Sequence, residues 1–189
     1  LALNWPVLFL IFTISGIGFV MLYSVSGGNL DRWARPQMER FFVGMIGLFI
    51  VAMVPIWFWR NMSFLAYALA VFLLIAVEFT GATGMGAQRW IDLGFIRLQP
   101  SELMKIALVM MLAAYYDWLP IDRTSRPLWI LPPVALILVP VALVLRQPDL
   151  GTSLLLLTGG GAIMFLAGVH WGYFASILGS SAALIIAVF

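Results

Sequence analysis

The sequence contains no cysteine and a single histidine, His170. The first absence excludes disulfides, thiolate nucleophiles and thiolate metal sites, and the second excludes a histidine-rich metal cluster. Charge is scarce as well. Ten basic and eight acidic residues make up 10% of the 189 positions, where a soluble domain carries about 25%. So few charges cannot keep the surface of a chain this long in water. Composition therefore excludes a soluble enzyme, a nucleic-acid-binding module and a disordered tail. A net charge of +2 is also too small to imply a polyanion partner. No nucleotide-binding glycine loop, Ser–His pair or metal-ligand spacing is present.

What is present is apolar. Hydrophobic residues account for 63% of the chain and the mean hydropathy is +1.07. A bilayer core needs about 20 apolar residues per helix. Seven stretches approach that length: Trp5–Tyr23, Phe41–Phe58, Met62–Val77, Ser101–Tyr116, Trp129–Leu145, Thr152–Val169 and Tyr173–Phe189. The expected fold is an all-α polytopic membrane protein with about seven transmembrane helices, forming a single transmembrane domain over residues 1–189. Leu1 is not a start methionine, the first stretch lacks a cleavage site, and the last runs to Phe189 without a polar end. A portion of a longer protein, with no targeting peptide, is the expectation. All eight tryptophans lie at the ends of these stretches or between them, as an interfacial aromatic belt requires.

The connections are short around Trp59–Asn61, Arg146–Gly151 and His170, which favours antiparallel neighbours. Small residues, Ser15, Gly16 and Gly18 in the first stretch, Gly159–Gly161 in the sixth and Gly179–Ala183 in the seventh, would let helices approach closely. Pro140 lies within the fifth, where it removes a backbone hydrogen bond and predicts a kink. Odd-numbered connections hold six arginines (Arg32, Arg35, Arg40, Arg89, Arg97, Arg146) and even-numbered ones three (Arg60, Arg123, Arg126). By the positive-inside rule alone the N-terminus would lie outside. Arginines on an outer face have another use, since they bind anionic lipid headgroups.

The segment Gly86-Ala87-Gln88-Arg89-Trp90-Ile91-Asp92-Leu93-Gly94 is too polar to span and too apolar for a free loop. Alternation around Trp90–Leu98, with Gly94 near its middle, predicts a short hairpin on the membrane surface. Arg89 and Arg97 would reach phosphate there while Trp90 and Phe95 sit among headgroups. The plain alternative is an interfacial anchor that binds nothing. Gln99-Pro100-Ser101-Glu102 then opens a helix, with Pro100 at the first helical position and Glu102 near N3, where a carboxylate favours the dipole. Lys105 is the only lysine and lies one turn further, inside an apolar stretch. The i, i+3 spacing puts it on one face with Glu102, so the two can neutralise each other. Charges inside a membrane line a cavity or form a structural pair. Gln147-Pro148-Asp149-Leu150-Gly151-Thr152 repeats the device: a proline starting a helix with a carboxylate behind it.

Together, Gly86–Gly94, Gln99–Glu102 with Lys105, and Gln147–Thr152 resemble the SEDS family (shape, elongation, division and sporulation) over the whole chain in order. Gln88 makes the likeness closer to the elongation branch, RodA, than to the division branch, FtsW, where arginine is usual. The resemblance implies a ten-helix inner-membrane peptidoglycan glycosyltransferase that polymerises lipid II on the outer face. Its implied partners are a class B penicillin-binding protein and the other proteins of the elongation complex. The N-terminus would be cytoplasmic, against the arginine count. By the same resemblance Glu102 and Lys105 support catalysis, while Arg89, Trp90, Gln99 and Asp149 bind substrate. The main catalytic aspartate lies beyond Phe189, so this portion alone would be inactive. A divalent cation, magnesium or manganese, is the only cofactor it leaves room for. Two other classes fit the residues: a lipid II flippase, with the charge pair lining a translocation path, and a scaffold without catalysis that recruits the transpeptidase.

Overall fold

The computed structural model describes residues 4–80, 82–84, 87–92 and 97–176, with backbone alone at 80, 82–84, 87–89, 92 and 97. It is predominantly helical and falls into two compact units, Leu1–Phe58 and Trp59–Phe189. In the first, α1 (Trp5–Val25) and α2 (Ala34–Met53) pack together. Asn4 caps α1, its Oδ1 accepting from the Val7 amide at 3.4 Å. Phe41 of α2 meets Phe12 and Phe19 edge-to-face at 5.4 and 5.6 Å between centroids. Most side chains of both helices are exposed apolar groups, as lipid-facing helices require.

Two boundaries of the second stretch differ from what hydropathy predicts. Helix α2 opens at Ala34 and not at Phe41, so Arg35 and Arg40 are helical and not in a connection. The apolar pattern carries the second stretch to Phe58 and puts a link at Trp59–Asn61. Instead α2 ends at Met53, Val54 is extended (φ −80°, ψ 129°), and α3 runs from Ile56 to Thr80. The cause is Pro55: it supplies no amide and disfavours helical geometry in the residue before it. Arg60 consequently sits in α3 and not in a loop, and Glu78 lies in the last turn of the same helix.

The second unit continues with a three-stranded antiparallel sheet, then α4 (Pro100–Trp118), α5 (Pro127–Arg146) and α6 (Leu150–Leu166). A 3₁₀ turn at Ile121–Arg123 precedes α5, and residues 171–176 are helical. The remainder of the seventh stretch, including Gly179–Ala183, lies outside the described residues. Every tryptophan falls in the first or last turn of a helix or outside helices, as the belt predicts. The α4, α5 and α6 helices pack on one another around Met104, Leu108, Leu112, Ile137, Val141 and Leu156. Leu74 of α3 is fully buried in the same core, and Val77 one turn later is equally buried.

The fifth helix runs without a break through Pro132, Pro133 and Pro140. Each proline leaves the carbonyl four residues earlier without its helical donor. For Pro140 that carbonyl belongs to Leu136, and Tyr67 of α3 donates its hydroxyl to it at 2.9 Å. For Pro133 it belongs to Trp129, and Tyr115 of α4 donates to it at 2.8 Å. The carbonyl freed by Pro132 is that of exposed Leu128, in the first turn. Two neighbouring helices are thus tied to the prolines of a third by the hydrogen bonds those prolines removed.

Among the described glycines of the first and sixth stretches, close approach requires a glycine at one position. A Cβ on Gly160 of α6 would lie 2.6 and 2.7 Å from Cγ1 and Cδ1 of buried Ile137 on α5. Gly16, Gly18 and Gly159 have nothing within 4 Å among the described residues.

Both features of α5 can be measured. Tyr67→Phe should lower stability in detergent by about 0.5–2 kcal/mol, the range for breaking one hydrogen bond in a membrane interior. In a Pro140→Ala background, where Leu136 regains a helical donor, the same change should cost clearly less; an equal cost in thermal unfolding would refute the assignment. Gly160→Ala should cost about 1–3 kcal/mol through overpacking, and Ile137→Ala in the same chain should recover part of it.

Candidate functional site

Connectivity brings the sequence motifs to one end of the second unit. Helices α4 and α6 start there, and α3 and α5 finish there, because Glu78 near the end of α3 pairs with Arg146 at the end of α5 at 2.9 Å. The sheet leaves this end directly after α3. Strands β1 (Ala82–Gly84) and β2 (Ala87–Asp92) pair antiparallel with Ala82 opposite Trp90 and a bulge between Ala82 and Thr83. β2 pairs with β3 (Arg97–Leu98), Ile91 opposite Leu98 and Asp92 opposite Arg97. The expected hairpin is therefore present. Its tip, with Gly94 and Phe95, lies outside the described residues, and the extra strand β1 is not anticipated by the sequence. Residues 82–84 are too short and too small-sided for their alternation to read as a strand.

β2 packs against α4. That places the Arg89–Trp90 strand segment beside the residues that open α4. Trp90 is half-exposed, and Arg89 is fixed as a position in β2. Gln99 occupies the cap position of α4 in extended conformation but makes no side-chain cap. Pro100 is the first helical residue and Glu102 the third, as the sequence predicts. The Lys105 ammonium donates to Oε1 of Glu102 at 2.9 Å, so the i, i+3 pair forms. Its side chains are 30% (Lys105) and 57% (Glu102) exposed. Ser101, Met104 and Leu108 on the adjoining face of the helix are buried. The pair therefore lies on the open flank of α4 with Ile106 and Val109 below it.

The second Gln-Pro turn departs from the expectation. Pro148 does not start α6. Asp149 is the N-cap and Leu150 the first helical residue. Oδ1 of Asp149 accepts from the Thr152 amide at 3.1 Å and Oδ2 from the Thr152 hydroxyl at 2.9 Å. Aspartate is among the strongest N-caps and proline has no such function, so the carboxylate displaces the proline from the start of the helix. Gln147 is buried, 6% exposed, and donates Nε2 to the Leu74 carbonyl of α3 at 3.1 Å. The structure thus brings together β2, the start of α4 and the Gln147–Asp149 turn. It adds Glu78 and Arg146, which no spacing rule could pair across so long a stretch of chain. Among the described residues no cluster of three or more His, Asp or Glu side chains is arranged to hold a metal; the carboxylates of Glu102, Glu78 and Asp149 are engaged by Lys105, Arg146 and Thr152.

A family model described as cell cycle protein, covering FtsW, RodA and SpoVE, matches residues 5–189. The chain belongs to this family, the SEDS proteins. Curated relatives include peptidoglycan glycosyltransferase MrdB of Escherichia coli K12, 34% identical over 80% of this chain and 40% of the relative. A probable peptidoglycan glycosyltransferase FtsW of Escherichia coli O6:H1 is 36% identical over 91% of this chain and 43% of its own length. Stage V sporulation protein E of Bacillus subtilis is 30% identical over 84% and 46%. The chain spans less than half the length of these relatives. Among solved structures, a chain of a peptidoglycan synthase complex that coordinates polymerization and crosslinking superposes with a TM-score of 0.86 at 30% identity, covering 98% of this chain and 54% of that one. Thermus thermophilus RodA, a rod shape determining protein, gives 0.82 at 30% identity over 97% and 60%. The all-α multi-pass membrane fold read from the sequence is that of the family.

Loss of the Asp149 cap is directly measurable. Asp149→Ala should destabilise the first turn of α6 by about 1 kcal/mol, seen as faster hydrogen exchange at the Thr152 amide, while Asp149→Asn should retain most of the protection.

Proposed function

We propose that the whole protein is a peptidoglycan glycosyltransferase that polymerises lipid II during cell elongation, in the inner membrane and with its N-terminus in the cytoplasm. The observation that carries this reading is the convergence of β2, the Glu102–Lys105 pair and the Gln147–Asp149 turn at one end of a SEDS fold. Likeness to MrdB and FtsW, both named peptidoglycan glycosyltransferases, supports the activity. Gln88 supports the elongation branch. Likeness to a chain from a synthase complex that also crosslinks supports a class B penicillin-binding protein as partner.

In the proposed reaction the C4 hydroxyl of lipid II attacks the anomeric carbon of the growing glycan. The new C–O bond forms as the bond to the pyrophosphate breaks. The hydroxyl proton passes to an aspartate outside residues 1–189, and the pyrophosphate leaves with its lipid. Arg89 and Lys105 would supply positive charge for the departing pyrophosphate, the type of electrostatic stabilisation that contributes most in a site sheltered from water. Glu102 holds the Lys105 ammonium in place. Trp90, Gln99 and Asp149 would contact the lipid-linked sugar.

Polymerisation of lipid II by the purified whole protein in detergent tests this, because no vectorial step exists there. Lys105→Ala and Glu102→Ala should each reduce polymer formation about 100-fold or more with membrane level and partner binding retained. Full polymerisation by either variant would sink the role of the pair. No polymer from the wild type would favour a flippase. Normal cell shape with both variants would favour a scaffold.

A further inference from the structure

Glu78, Arg146 and Gln147 stand outside the residues assigned to chemistry, yet they join two segments that flank the site. Glu78 lies just before β1, at the root of the sheet that carries Arg89 and Trp90. Arg146 and Gln147 end α5 immediately before the Asp149 cap. The Arg146 guanidinium reaches Oε1 of Glu78 at 2.9 Å, and Gln147 reaches one turn further back along α3 to the Leu74 carbonyl at 3.1 Å. The two contacts act on adjacent turns of α3. Glu78 is only 28% exposed although Arg146 is 68% exposed. A carboxylate in the last turn of a helix also opposes the helix dipole, so Glu78 lowers the stability of an isolated α3. Its position is explained by what it holds.

We infer that Glu78, Arg146 and Gln147 form a clamp that sets the position of the β1–β3 sheet relative to the Gln147–Asp149 turn, making Glu78 and Arg146 positioning residues for the site. This rests on the proposed function for its catalytic consequence but not for its geometry. Helix α4, which packs on both β2 and α6, is a second link between sheet and turn. Displacement of a binding group by about 1 Å can cost on the order of 100-fold in rate. The clamp therefore acts on turnover of bound substrate more than on its capture.

Two readouts in the whole protein separate the geometry from the activity. Spin labels on cysteines introduced at Ala87 in β2 and Leu150 in α6, in a cysteine-free background, report the distance between sheet and turn. Glu78→Gln and Arg146→Gln should each broaden that distance distribution. The exchanged pair Glu78→Arg with Arg146→Glu should narrow it again. Unchanged distributions in both single variants, or an exchanged pair as broad as the singles, would overturn the clamp whatever the protein catalyses. With lipid II as substrate, Glu78→Gln should lower kcat about 10- to 100-fold with little change in KM, and the exchanged pair should recover most of it. A wild type that polymerises lipid II alongside a fully active Glu78→Gln variant removes the catalytic consequence alone. A wild type that makes no polymer removes the proposed function and leaves the spin-label distances to decide the clamp.

Discussion

A bilayer offers no water to a backbone carbonyl that has lost its helical partner, and α5 creates such carbonyls three times. The arrangement of the second unit follows from how they are satisfied. Tyr67 and Tyr115 come from different helices and reach two different carbonyls of α5. Each bond fixes the rotation and height of its helix against α5, because a hydroxyl can meet one carbonyl only in one register. Apolar packing around Leu108, Val141 and Leu156 could be satisfied by several rotations of smooth helices, since lipid competes equally well for apolar side chains. The tyrosine contacts remove that freedom. The closest approach adds a steric limit, with Gly160 seated on Ile137 so tightly that no Cβ fits.

With α3 and α4 registered on α5, the ends of the helices follow. Strands β1–β3 emerge where α3 stops, and β2 lies on α4, whose first turns present Glu102 and Lys105. The opposite end is held by separate contacts. Arg60 pairs with Asp117 at 2.8 Å. Arg123 lies over the Trp129 ring at 5.6 Å. Ser125 donates to the Gly168 carbonyl and accepts from the His170 amide. The lone histidine accepts from the Gly172 amide at 3.1 Å and serves the turn into the next helix.

Features that depend on local rules are legible in the sequence. Hydropathy locates the helices, tryptophans mark their ends, Pro100 and Glu102 open α4, and i, i+3 spacing pairs Glu102 with Lys105. The sequence misleads where two local rules compete. At 54–58 the apolar run masks Pro55, whose missing amide ends α2. At 147–150 proline and aspartate both start helices, and the carboxylate prevails because it satisfies a free amide. Contacts between distant segments are not legible at all. Nothing along the chain links Tyr67 with Pro140 or Glu78 with Arg146, since each pair exists only after the helices have met. The strand at Ala82–Gly84 is hidden for the same reason: it has no pattern of its own and pairs because Ala87–Trp90 lies opposite.

The charges at the site end can be read against the helix dipoles. Helices α4 and α6 begin there with positive ends, which Glu102 at the third position and the Asp149 cap already answer. Helices α3 and α5 finish there with negative ends, and the charge of Arg146 at the end of α5 is shared with Glu78. The two positive ends are thus balanced by carboxylates of the chain itself, which weakens their pull on a phosphate. In the proposed reaction, binding of the lipid pyrophosphate at this end would draw on cations beyond that balance. Arg89 belongs to β2, the strand that packs against α4. Lys105 is held by one carboxylate at an open flank and keeps two further donor hydrogens on its ammonium. The scarcity of charge in the sequence makes this balance strict: removing one partner leaves the other uncompensated at the edge of a membrane, so the few ionisable residues are coupled to one another.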